Sequence, residues 1–116
     1  MSKIDELKEF GVNTEEGLGR CFGNEDFYLR LVRMIPNDAN FEALKEKVAS
    51  GDLTGGFEAA HALKGAVGNL SITPIFEPVS ELTEMLRAKT GEDYTKLVNE
   101  VLRQRDILKE ILERGE

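Results

Sequence analysis

The chain has no tryptophan, one cysteine, one histidine and three prolines in 116 residues. A single cysteine, Cys21, excludes an internal disulfide framework and fits a reducing compartment. One histidine and one cysteine are too few for a His/Cys zinc cage. No apolar run approaches the roughly 20 residues that span a bilayer. The opening MSKIDELKEF has no apolar signal-peptide core, so a cytoplasmic location is expected. Positive charge is also scarce: 15 Lys and Arg stand against 22 Asp and Glu, a net charge of -7. That balance excludes the basic stripe that binds nucleic acid, and it disfavours docking on an anionic membrane. Runs of alternating β-branched residues are missing, so the chain is expected to be all-helical.

What is present is a series of amphipathic segments with start and stop signals. Ser2, with Asp5 three residues later, predicts a capped first helix that Gly11 ends. Thr14 is expected to cap TEEGLGRCF, a weak helix whose Leu18, Cys21 and Phe22 lie over the end of a bundle. Asn24 opens NEDFYLRLVRMI, with Phe27, Leu31 and Ile35 as its stripe and Pro36 as its stop. Asn40 is expected to cap NFEALKEKVAS, whose stripe is Phe41, Leu44 and Val48 and whose end is Gly51. Asp52 opens a helix running to about Leu70, with Ala60, Leu63, Val67 and Leu70 on its apolar side. Thr73 as cap and Pro74 as first helical residue predict the next helix, Pro74 to Ala88. The last helix is expected over Glu92–Glu113, its stripe loosening at Gln104 and Arg105 where the core runs out. Short connections between four substantial helices predict an antiparallel up-down four-helix bundle with one or two short N-terminal capping helices. The expected domain is 1–116, divided into caps (1–23) and bundle (24–116).

One stretch stands apart, FEAAHALKGAVGNLS at 57–71. The single histidine, His61, shares a helical face with Lys64, Gly65 and Gly68, opposite the apolar side. Two glycines on a helix face cost roughly 1 kcal/mol each relative to alanine. Accepting that cost beside the imidazole and a lysine implies close approach by something else. Imidazole is a nucleophile near physiological pH. A phosphoryl group on it would carry about two negative charges. Lys64 is placed to meet that charge, and the glycines clear space for a donor. Walker-type and kinase motifs are missing, and no acid is placed to orient His61 as a base. Glu58, three residues before it, reads as an ordinary surface residue. The residues therefore suit a passive phosphoryl acceptor and donor.

AHALKGAVGNL resembles the signature of histidine-containing phosphotransfer (HPt) domains, whose core reads H-x-L-K-G followed by small residues. GVNTEEGL, GNEDFYLRLV, FEALKEKVASGD and SELTEMLR resemble the family's other helices, so the likeness covers nearly the whole chain. It implies a stand-alone phosphorelay intermediate. His61 takes a phosphoryl group on Nε2 from the aspartyl phosphate of a response-regulator receiver and passes it to another receiver aspartate. Candidate donors include the receiver of a hybrid histidine kinase. Lys64 steadies the phosphoryl charge and Gly65 lets the partner close in. The chain needs no cofactor of its own, since the receiver brings Mg²⁺, and a monomer is expected.

Phe57, Ala62, Gly68 and Asn69 are the candidate partner-binding residues; Phe57 is either an exposed anchor or tucked against a neighbouring helix. Two positions depart from the family pattern. Ser71 stands where glycine is common, and Gly56 where an apolar residue is common; either Phe41 or Phe76 fills its gap or the helix begins irregularly. These departures keep open a docking module that is not phosphorylated. An enzyme using His61 as general base is a third reading, without an orienting acid to support it.

Overall fold

The computed structural model describes residues 1–115; Glu116, the last residue of the expected 1–116 domain, lies outside them. Seven α-helices follow one another: α1 (Lys3–Phe10), α2 (Thr14–Arg20), α3 (Glu25–Met34), α4 (Asn40–Ala49), α5 (Leu53–Asn69), α6 (Thr73–Ala88) and α7 (Thr95–Glu113). A single 3₁₀ turn, Ile35–Asn37, separates α3 from α4, and there is no strand among the described residues.

Local chemistry sets most boundaries. Ser2 and Asp5 form the reciprocal capping box of α1, and Gly11 ends it in the left-handed conformation at φ 115°. Asn24 accepts from the Phe27 N–H at 3.0 Å, and Asp52 accepts from the Gly55 N–H at 2.9 Å. Four starts differ from expectation. Asn13 rather than Thr14 caps α2, accepting from the Glu16 N–H at 3.1 Å. Asp38 rather than Asn40 supports α4, taking the Asn40 N–H at 2.8 Å. The last helix begins at Thr95 rather than Glu92, because Asp93 accepts from the Thr95 N–H at 2.9 Å. That bond also holds the Asp93 carboxyl below its ordinary pKa. Thr73 is likewise the first residue of α6 rather than its cap.

Packing runs in a ring. Helix α4 lies against α5, α5 against α6, α6 against α7, and α7 returns to α4. Helix α1 covers α7, and α2 touches α1 and α3. Lys3 ties α1 to the end of α7, its ammonium donating to the carbonyls of Ile111 (2.6 Å) and Arg114 (2.7 Å). Arg33 donates to the Leu112 carbonyl at 3.0 Å. Cations thus satisfy carbonyls that the helix end leaves open. The core includes Tyr28, Phe41, Leu44, Leu63, Ile75, Leu82 and Leu108, all fully buried.

Some apolar residues fall elsewhere than their spacing predicts. On α3 the buried side is Tyr28 and Val32, continued by Ile35 in the turn, while Phe27 is 40% exposed. Phe22 is 96% exposed because it sits in the α2–α3 turn at φ 57° rather than on a helix. On α7 the core does not run out at Arg105. Its guanidinium lies 5.3 Å from the Phe41 ring centroid and covers it, and burial resumes at Leu108.

Tyr28 joins the N-terminal helices to α5. Its ring is received by Gly17, where a Cβ would come within 2.5 Å of a ring carbon. Its hydroxyl donates to the Leu70 carbonyl at 2.8 Å. Gly17→Ala is expected to destabilise the fold by about 1–3 kcal/mol through overpacking. Gly19→Ala, with nothing within 4 Å, is expected to stabilise it by about 0.5 kcal/mol. Chemical denaturation of the two variants checks the contrast. Burial, with the Cys21 thiol second, pushes the Tyr28 phenol up to about 12. The unfolded chain therefore releases this proton near pH 10 while the folded chain keeps it. The stability linked to Tyr28 is full below about pH 10 and falls as pH rises toward 12. Denaturation across that range should show a shallower loss in Tyr28→Phe, despite its lower starting stability.

Candidate functional site

Helix α5 presents two unlike faces. Ala59, Ala60, Leu63 and Val67 are buried, whereas His61, Ala62, Gly65 and Asn69 are exposed. The Asp52 cap and the apolar period fix this rotation, and the imidazole comes to lie outside the core as its spacing predicts.

His61, Lys64, Gly65, Gly68 and Asn69 line one open depression of about 390 Å³, together with Arg20 of α2 and Phe76 of α6. The imidazole has no hydrogen-bond or ion-pair partner among the described residues; its contact is a stack on the Phe57 ring, centroids 5.6 Å apart and planes 15° apart. The Arg87 guanidinium also lies over the Phe57 ring, 4.9 Å from its centroid. Phe57 is thus half-buried and packed against the core, tucked in rather than an exposed anchor. No carboxylate among the described residues pairs with Lys64, which leaves its ammonium available beside His61. Lys64 is half-buried rather than exposed, as a lysine that lays its stem on the surface becomes.

The two glycines of the motif differ. A Cβ on Gly65 would meet nothing within 4 Å, so the backbone there is open. A Cβ on Gly68 would lie 3.1 Å from Phe76 Cε1, so its room is taken by α6 rather than left for a visitor. Gly56 also faces inward, but its gap is filled by Val48 (3.1 Å to an added Cβ) and Leu86 (3.8 Å), not by Phe41 or Phe76.

Ser71 closes the helix. It takes φ 57°, the left-handed conformation that glycine adopts more readily. The Ile72 N–H bonds to the Val67 carbonyl (3.0 Å) and the Ser71 N–H to that of Gly68 (3.1 Å), the paired bonds of a Schellman end. The Ser71 hydroxyl donates to Glu16 Oε1 at 2.7 Å, and its carbonyl accepts from the Asn13 N–H at 3.0 Å. These bonds offset the strain of a side chain in that conformation and tie α2 to the end of α5.

Two features were not legible in the motif. Arg20 reaches the depression from a distant part of the chain, donating to the Gly68 carbonyl. An apolar hollow lies beside the site, formed by Leu31, Met34 and Ile35 with Ala66 and Asn69; Met34 is 64% exposed. Nothing in the sequence signals this hollow, because Leu31 and Ile35 read there as part of a core stripe. Among the described residues no group of three or more His, Cys, Asp or Glu side chains is placed to hold a metal ion. No helix is long and apolar enough to cross a membrane.

The difference between the glycines is measurable. Gly65→Ala should raise stability by up to about 1 kcal/mol, the propensity difference at an open helix position. Gly68→Ala should gain less or lose stability, because Phe76 must move. Paired denaturation curves check this.

The family model described as Hpt domain matches residues 37–114, about two thirds of the 116-residue chain. Comparisons with curated proteins and with solved structures gave no match.

Proposed function

The chain belongs to the Hpt domain family, and from that premise we propose that His61 is its phosphoacceptor. The family places it in histidine phosphotransfer within phosphorelays; Hpt domains are phosphocarriers rather than kinases, and they interact with response-regulator receiver domains. In the proposed reaction Nε2 of His61 attacks the phosphorus of a receiver aspartyl phosphate. The P–O bond to the aspartate breaks, and the carboxylate leaves. The reverse attack, by another receiver's carboxylate on the phosphohistidine, returns the imidazole.

The observation that carries this reading is the combination at one face of α5. An exposed imidazole stands beside an ammonium with no carboxylate partner, and Gly65 leaves the backbone open between them and solvent. Lys64 would steady the phosphoryl charge, and Gly65 would admit the partner. Positioning and charge neutralisation suffice for such a step. Mg²⁺ would come with the receiver, and the chain would act as a monomer without a cofactor of its own. Phe57 would hold the ring rather than anchor the partner. Ala62, Asn69 and the apolar hollow at Leu31 and Met34 would form the docking surface, while Gly68 would contribute indirectly by seating Phe76.

The scaffold for this is an antiparallel up-down bundle of four helices, with residues 1–23 as its cap. The three-residue connections on either side of α5 support the antiparallel order there, because they are too short to return along a helix of about 25 Å. The alternative, a docking module that is not phosphorylated, drew on Gly56 and Ser71. Both have packing roles away from His61, which removes that motive.

The test is transfer from a receiver carrying labelled phosphoryl on its aspartate. Label that survives alkali but not acid is expected in the wild type and none in His61→Gln. Lys64→Ala should transfer roughly tenfold more slowly or worse. Equal labelling of His61→Gln would show that the site is elsewhere.

A further inference from the structure

The depression around His61 has a charge pattern that the whole chain does not. The protein carries 22 acidic and 15 basic residues, yet no carboxylate lines this depression; its charged walls are Arg20 and Lys64. Arg20 belongs to α2, outside the 37–114 stretch that matches the family model.

Its position is built. Nη1 donates to the Gly68 carbonyl, and Nη2 lies 3.4 Å from Glu16 Oε1, the oxygen that also accepts from Ser71. Closing α5 does not require this. The Gly68 carbonyl already accepts from the Ser71 N–H. A guanidinium has five N–H donors, and these contacts use a minority of them. The side chain stays 49% exposed, on the side of the depression.

We propose that Arg20 is a partner-orienting residue, whose guanidinium takes an acidic side chain of the receiver domain while Lys64 meets the phosphoryl group. The proposal rests on the phosphoacceptor reading of His61. Gly68 lies seven residues beyond His61, about 10 Å along the helix axis, whereas Lys64 is one turn away. Arg20, anchored at Gly68, therefore stands at the edge of the footprint of a docked domain. Its planar fork matches a carboxylate through two parallel bonds, which Lys cannot reproduce. A cationic patch on an acidic protein also steers an acidic partner to this face and weakens with salt.

The experiment measures transfer from a labelled receiver over a range of receiver concentration and ionic strength. Wild type, Arg20→Gln and Arg20→Lys are compared, with phosphoramidate as a donor that needs no partner protein. In Arg20→Gln the receiver concentration for half-maximal rate should rise about fivefold. The saturated rate should stay within about twofold, and the salt dependence should flatten. Arg20→Lys should keep the salt dependence while recovering part of the affinity, and it carries the test if glutamine loosens the cap. Labelling by phosphoramidate should be equal in all three. An unchanged half-saturation and salt slope in both variants would leave Arg20 as a helix tie alone and overturn the inference. A slower phosphoramidate reaction at unchanged half-saturation would assign Arg20 to the phosphoryl group and overturn it too. Wild type that takes label from neither donor overturns the phosphoacceptor reading and this inference together. Label in the wild type with indistinguishable variants overturns this inference alone.

Discussion

Leu63 and Val67, fully buried where α5 meets its neighbours, fix which face of that helix turns outward. Each contributes about 1.5–3 kcal/mol by leaving water. Rotating α5 far enough to hide His61 would expose both. The open position at Gly65 costs only about 1 kcal/mol in helix propensity, so the buried edge outweighs the price of an accessible one. The helix is thus a beam held along one side, with His61 on the other.

The end of that beam is held by residues from the start of the chain. Tyr28 donates to the Leu70 carbonyl, the Asn13 N–H to that of Ser71, and Ser71 to Glu16. Each bond spans more than forty residues of sequence. Together they let serine occupy a left-handed position and bring Arg20 to the Gly68 carbonyl. The N-terminal helices therefore do more than cover apolar ends. They complete the wall of the depression in which the imidazole stands, which links fold closure to the chemistry of the site.

The parts of this structure that were legible in the sequence depend on neighbours in the chain. The Ser2, Asn24 and Asp52 caps, the Gly11 and Gly51 ends, and the buried edge of α5 follow from local hydrogen bonding and a 3.6-residue period. The exposed His61 and its shared depression with Lys64 follow from the same period. What failed was decided by distant contacts. Gly65 and Gly68 look alike as letters, but α6 sends Phe76 only to the second. Phe57 was ambiguous because its neighbours, His61 and Arg87, come from two helices. Arg20 gave no signal, since its role depends on how α2 lands on α5. Phe22 reads by its spacing as part of the face that covers the bundle end, and is exposed because its backbone turns there.

The proposed phosphocarrier works by presentation: an exposed imidazole in an open depression whose cations are Lys64 and Arg20. The central claim is that the phosphoryl group bonds to Nε2 of His61. A ³¹P–¹H correlation spectrum of the protein after transfer from a phosphorylated receiver addresses it directly. One phosphorus resonance coupled to both ring protons of His61, in the pattern of the Nε2 adduct, is the predicted result. Phosphorus on Nδ1, on any other residue, or absent from the protein after the receiver has lost its label would contradict the account.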